Sequence, residues 1–179
     1  MTRIALALAV GATLGGLAGC GHHSGSITVA HGKVTVYDRE VRIRSSGAAD
    51  ASITADGALT IGDRAVTLSA EQTAAADAYF KAATSIGQHG IETGKAGADA
   101  GMTAAKEVVS GLVHGDTSQI EPRVKAKAEE VKRQAMHICE DLAGMRASQE
   151  ALAASLAAFH PYAVIDAEEV SDCGKDLKN

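Results

Sequence analysis

The chain has no tryptophan and only three tyrosines and two phenylalanines in 179 residues. Few large flat side chains are therefore on offer for stacking sugars or nucleobases. The core has to come from Ala, Val, Ile and Leu, with alanine dominant, and such a core favours helices that lie close together. There is also no Lys/Arg cluster, and the formal net charge is −5. An acidic balance gains nothing from a phosphate backbone, which argues against a nucleic-acid partner. Signatures of catalysis are missing too: no G-x-S-x-G, no H-E-x-x-H and no paired-cysteine zinc spacing occurs.

The fragments that come nearest to a motif do not complete one. In "GIETGKAG" one residue too few separates Gly90 from Gly94, and Ala96 stands where a phosphate loop needs Ser or Thr for magnesium. Of seven histidines only His22 and His23 are adjacent, in a Gly/Ser-rich stretch that reads as a solvated linker. His137 and Asp141 share a helical face at i,i+4, the spacing of a surface hydrogen bond. No nucleophile lies beside a base. The expectation is a protein without enzymatic activity, metal or cofactor.

What the N-terminus does hold is an address. Arg3 precedes an uncharged stretch, Ile4 to Gly19, that ends in Leu17-Ala18-Gly19-Cys20. A basic residue, an apolar run and a small-residue boundary are the parts of a secretory signal. The run is shorter than the roughly 20 residues of a spanning helix, and four glycines dilute it. The pattern resembles a bacterial lipoprotein signal with its lipobox, which implies cleavage before Cys20 and a lipid on its thiol; the alternative is a chance cysteine after an ordinary signal. On this reading residues 1–19 are the signal, 20–26 the lipidated cysteine and tether, and 27–68 and 69–179 together form one domain. The membrane is then a partner through the anchor.

Cysteine arithmetic agrees. With Cys20 assigned to lipid, Cys139 and Cys173 remain as an even pair in an oxidising compartment. A bridge across that separation is worth roughly 3–4 kcal/mol in the chain-entropy model. The alternative is one buried and one exposed free thiol. Neither lies in a C-x-x-C, so a redox role has no support.

Residues 27–68 alternate apolar and polar positions. Val34/Val36, Val41/Ile43, Ile53/Ala55, Leu59/Ile61 and Val66/Leu68 form the apolar set, and Asp56-Gly57 and Gly62-Asp63 punctuate it as turns. The segment from Ser52 to Leu68 reads as a tight antiparallel meander, with one or two further strands in residues 27–44. Such a half-buried sheet needs a cover. Ser69-Ala70-Glu71-Gln72 is a capping box, predicting a helix from Ala70 to about Ile86. A second box at Ser118–Glu121, with Pro122 in the first turn, opens a long amphipathic helix. Gly144 is a candidate break before a shorter helix that His160-Pro161 stops. The tail from Tyr162 has little pattern, and Cys173 is its expected staple.

Between the helices Gly87, Gly90, Gly94, Gly97 and Gly101 recur at three- and four-residue steps. On a helix they form one stripe, flanked by Ile91, Ala98, Ala105 and Leu112, with Gln88, Glu92, Lys95, Asp99 and Lys106 opposite. Each interior glycine costs about 1 kcal/mol against alanine, so close packing against another helix is expected to offset the loss. Three occupants are open: a neighbouring helix of the same chain, a second copy or another protein, and lipid. A mobile glycine-rich loop is the remaining alternative, and the sorting of charges onto one face argues against it.

Three segments carry a family resemblance: "ITADGALTIGDRAVTLSAEQ", "GIETGKAGADAGMTAAKE" and "AMHICEDLAGMRASQEAL". Over most of Ile53–Phe159 the chain resembles the YggN-like family of uncharacterised exported proteins of proteobacteria. The resemblance implies location and fold and carries no catalytic residue; the lipobox departs from relatives with a plain signal. Gly21 is not the aspartate of inner-membrane retention, so similarity to sorted lipoproteins implies the outer membrane, facing the periplasm. The combined expectation is an α+β fold, a small antiparallel meander followed by a mostly antiparallel bundle of three to four helices. Its expected role is that of a tethered, non-enzymatic interaction or structural module. The alternative role is a carrier of lipid or small molecules in a cleft between sheet and helices.

Overall fold

The computed structural model describes residues 26–114, 118 and 120–177. Six short strands come first: β1 (Ile27–Val29), β2 (Val34–Val36), β3 (Glu40–Ile43), β4 (Ala51–Thr54), β5 (Leu59–Ile61) and β6 (Arg64–Val66). They pair in sequence order, every neighbour antiparallel. Three helices follow, α1 (Ala70–His114), α2 (Ile120–Ser155) and α3 (Ala167–Asp176), with a 3-10 turn at Ala157–Tyr162 between the last two. The architecture is α+β, as the alternation and capping signals require.

The sheet is built on the expected alternation, with two differences. Residues 27–44 supply three strands rather than one or two, and Ala55 is an exposed turn residue, so Ala51 joins Ile53 on the inner face. Val34, Val41, Ile43, Ala51, Ile53 and Leu59 are essentially inaccessible, while Arg42 on the same strands faces water. The Asp56-Gly57 turn sits against the start of α1. Gly57 has φ +74°, and a Cβ there would stand 2.6 Å from the Thr73 carbonyl oxygen. Only glycine satisfies both the backbone and the approach.

α1 starts where the capping box places it. The Gln72 amide donates to Ser69 Oγ at 3.2 Å, and the Ser69 amide donates to Gln72 Oε1 at 2.9 Å. Ala76, Tyr79, Phe80, Ala83 and Ile86 then bury against the sheet and α2. Beyond Ile86 the helix does not stop; it runs 45 residues, about 67 Å at 1.5 Å per residue. Gly144 does not break α2 either. Its vacant Cβ position lies 3.9 Å from Ala82, so the glycine sits in the α1–α2 packing, where tertiary contact overrides its low propensity.

The tail is ordered by three ties. Cys139 and Cys173 form a disulfide with a Cα separation of 5.7 Å, joining α2 to α3. Buried Gln149 donates to the Ile165 carbonyl at 2.8 Å and accepts from the Ile165 amide at 2.9 Å, closing both ends of one amide. Asp166 caps α3 by accepting from the Glu169 amide at 2.8 Å. α3 thus forms in the tail, where the sequence shows little pattern of its own.

Candidate interaction surface

Seven residues make nearly two helical turns, so residues seven apart on α1 lie almost in line. Ala76, Ala83, Gly90 and Gly97 form one such line; Phe80, Gly87, Gly94, Gly101 and Val108 form the next. In the first part of α1 these lines face the sheet, with Ala76, Phe80, Ala83 and Gly87 buried. Gly87 marks the edge: a Cβ there would meet Ile27 Cδ1 of β1 at 2.7 Å. Past it the sheet ends, and on the same face Gly90, Gly94 and Gly101 are exposed and Gly97 is half-buried, before Gly111 is buried again near the helix end. At Gly90, Gly94, Gly97 and Gly101 no described atom outside the helix's own backbone lies within 4 Å of the Cβ position.

The glycine stripe is thus not the seam between helices. That seam uses the adjacent lines, Ala82-His89-Ala96-Thr103 and Ile86-Thr93-Ala100-Glu107, which are half-buried or buried. Its contacts are explicit: Glu107 accepts from Arg123 at 2.7 Å, and Asp141 pairs with His89 at 2.6 Å. The roll of α1 is set near its start, where Tyr79 and Phe80 enter the core. With that roll fixed, the far glycines turn away from α2.

Larger apolar side chains lie beside the stripe. Ile91 is 57% exposed, Met102 58%, Val109 62% and Val113 73%. Met102, Ala105, Val109 and Val113 line a shallow apolar depression whose polar border is Lys106 and Ser110. On α2 opposite, residues 121–129 are all exposed. The far half of α1 is therefore an arm with one flank on α2 and a broad flank of Gly, Ala, Val, Met and Ile facing solvent. Exposed apolar stretches of this kind mark interaction sites. Sequence reading named the stripe and the flanking Ile91, Ala98 and Ala105. It missed Met102, Val109 and Val113, which the three-four spacing from Ile91 onward could have signalled.

Elsewhere the polar groups are mostly local. The Arg133 side chain, hydrogen-bonded to Glu130, holds that carboxyl below its usual range. The Thr54 hydroxyl does the same for Asp56 in the β4–β5 turn. Burial pushes the Tyr79 hydroxyl far up, with the charge of Glu169 a second cause, and that hydroxyl has no hydrogen-bond partner among the described residues. Asp141 bonds not to His137, four residues before it, but across the seam to His89. His137 Nδ1 instead meets Glu140 at 3.1 Å. Among the described residues no group of three or more His, Cys, Asp or Glu gathers in metal-binding geometry.

The space between sheet and helices is filled by fully buried Tyr79, Phe159, Ile53, Leu59, Met145 and Leu152. Depressions beside the sheet lie on its rim, one lined by Lys33, Arg44 and Ser45, another by Ile61, Arg64 and Tyr162. Cys20 falls outside the described residues, as do residues 1–19, expected as the signal, and 21–25 of the expected tether. No described helix is long and apolar enough to cross a membrane. Comparison with protein-family models, curated proteins and solved structures gave no match.

Proposed function

We propose that this chain is a non-enzymatic envelope lipoprotein that holds out the far half of α1 as an interaction arm. The observation carrying the reading is the open stretch at Gly90, Gly94 and Gly101, the direct continuation of a face that the sheet covers earlier in the same helix, with exposed Ile91, Met102 and Val109 beside it. The four uncovered glycines, Gly90, Gly94, Gly97 and Gly101, cost several kcal/mol in a free helix, at about 1 kcal/mol each. A partner surface brought close to the backbone would offset that cost. The partner is an envelope protein or a second copy of the chain. The charged residues Glu92, Lys95, Asp99 and Lys106, which flank the apolar side chains of the arm, would be costly in hydrocarbon.

Location rests on separate supports. The lipobox pattern ending in Cys20 gives the anchor, and several acyl chains at about 0.8 kcal/mol per buried methylene hold it stably. The Cys139–Cys173 bridge suits an oxidising compartment. Resemblance to the YggN-like family and to sorted lipoproteins favours the periplasmic face of the outer membrane.

A single cysteine at Gly94, in the otherwise native chain, tests the arm. Cys139 and Cys173 are bridged, and an acylated Cys20 does not react. Labelling by a membrane-impermeant maleimide should be fast in dilute purified protein and strongly slowed in the intact envelope. Equal rates in both settings would contradict the proposal. Cys20→Ala should separately release the protein from the membrane fraction.

A further inference from the structure

Two imidazoles meet where the hairpin leaves the sheet, one from each long helix. The ring centres of His89 on α1 and His137 on α2 are 5.2 Å apart, with the ring planes tilted by 36°. Each Nδ1 is held by a carboxylate, His89 by Asp141 at 2.6 Å and His137 by Glu140 at 3.1 Å. An imidazole whose Nδ1 is engaged by a carboxylate has its ring orientation fixed and offers Nε2 as a lone-pair donor. That carboxylate–histidine pairing is the usual outer support of a metal-ligating histidine.

The spacing fits an ion. A divalent zinc lies about 2.0–2.1 Å from an imidazole nitrogen, and the ring centre is about 1.1 Å farther. Two imidazoles at a tetrahedral angle then place their centres about 5.2 Å apart. Side-chain exposures of 30% for His89 and 45% for His137 leave the pair open to solvent, so an ion can enter without unfolding. Two protein nitrogens leave the remaining positions to water, in keeping with the lack of a third protein donor among the described residues. Imidazole donors select zinc, copper or nickel over magnesium or calcium.

We propose that His89 and His137 bind one divalent transition-metal ion of the zinc class through their Nε2 atoms, with Asp141 and Glu140 as positioning residues. The ion bridges α1 and α2 at the root of the arm. This proposal is independent of the arm's role.

The test uses the purified full chain carrying H22A and H23A, which removes the tether histidines as competitors, titrated with zinc chloride in a non-coordinating buffer. Calorimetry should give one zinc per chain. Long-range proton–nitrogen spectra should shift the Nε2 resonances of His89 and His137 together, a readout that needs no further mutation. His89→Gln or His137→Gln should weaken binding at least tenfold. Asp141→Asn should weaken it about ten- to a hundredfold, the usual effect of losing outer support, with both ligands still present. A metal-free melting curve on each variant separates loss of the site from loss of the fold. Absence of binding, shifts confined to His31 or His160, or a shift of only one of the two imidazoles would overturn the proposal.

Discussion

The two halves of α1 present the same helical face to different surroundings. From Ala70 to Gly87 that face holds Ala76, Phe80 and Ala83 and is sealed by the sheet. From residue 90 to 101 it holds Gly90, Gly94, Gly97 and Gly101, and no described neighbour lies within 4 Å of their Cβ positions. The near half belongs to the cooperative core; the far half depends on its own helical propensity and on one flank of contact with α2. Stability within one element can therefore differ widely along its length.

The largest expected contrast comes from truncating side chains in the two regions. Phe159 is fully buried and meets Tyr79 edge-on at 6.4 Å, so Phe159→Ala should cost about 3–5 kcal/mol in urea unfolding. Val109→Ala should cost less than about 0.5 kcal/mol, because its side chain already faces water. Similar losses at both sites would mean that the arm is packed as tightly as the core.

Removing the disulfide sharpens the boundary. Cys139→Ser with Cys173→Ser should lower stability by roughly 3 kcal/mol, as loop-closure entropy returns to the unfolded chain. Amide exchange in α3 should accelerate, while residues 90–108 of α1 should exchange as before.

Tyr79 gives a pH-dependent version of the same contrast. Its folded pKa lies above the unfolded value of about 10. Its contribution is therefore fully present below pH 10 and is lost as pH rises, because the unfolded chain releases a proton that the folded chain keeps. The slope is about 1.4 kcal/mol per pH unit for one group. Tyr79→Phe should remove that part of the alkaline loss. At pH 7 it should cost little, since the hydroxyl is buried without a partner among the described residues. A steep loss of stability in Tyr79→Phe at pH 7 would reveal a bond to that hydroxyl.

Much of this was legible because local chemistry specified it. Ser69 and Gln72 announce the start of α1, Asp56-Gly57 and Gly62-Asp63 punctuate the meander, and three cysteines with one assigned to lipid leave a single pair. The features that escaped depend on distant parts of the chain. Gly144 reads as a break until Ala82 is seen packed beside it. Gln149 is tied to the N–H and C=O of Ile165, a contact that no local spacing announces. The i,i+4 spacing of His137 and Asp141 suggests a pair that α1 dissolves by offering His89. The stripe was visible, but its orientation was not, because the roll of α1 is fixed by Tyr79 and Phe80 several turns away. Expecting another helix over the glycines was reasonable from cost alone, and the sheet's ending at Gly87 is what changes the answer.

The central claim, that nothing packs over the α1 glycines from 90 to 101, is tested most directly by Gly94→Ala and Gly97→Ala in dilute, monomeric protein. With open space at both Cβ positions and ordinary helical backbone, each substitution should slow local amide exchange and add up to about 1 kcal/mol to the stability of the arm. Faster exchange or lower stability in either variant would place a close neighbour against the stripe and contradict the account.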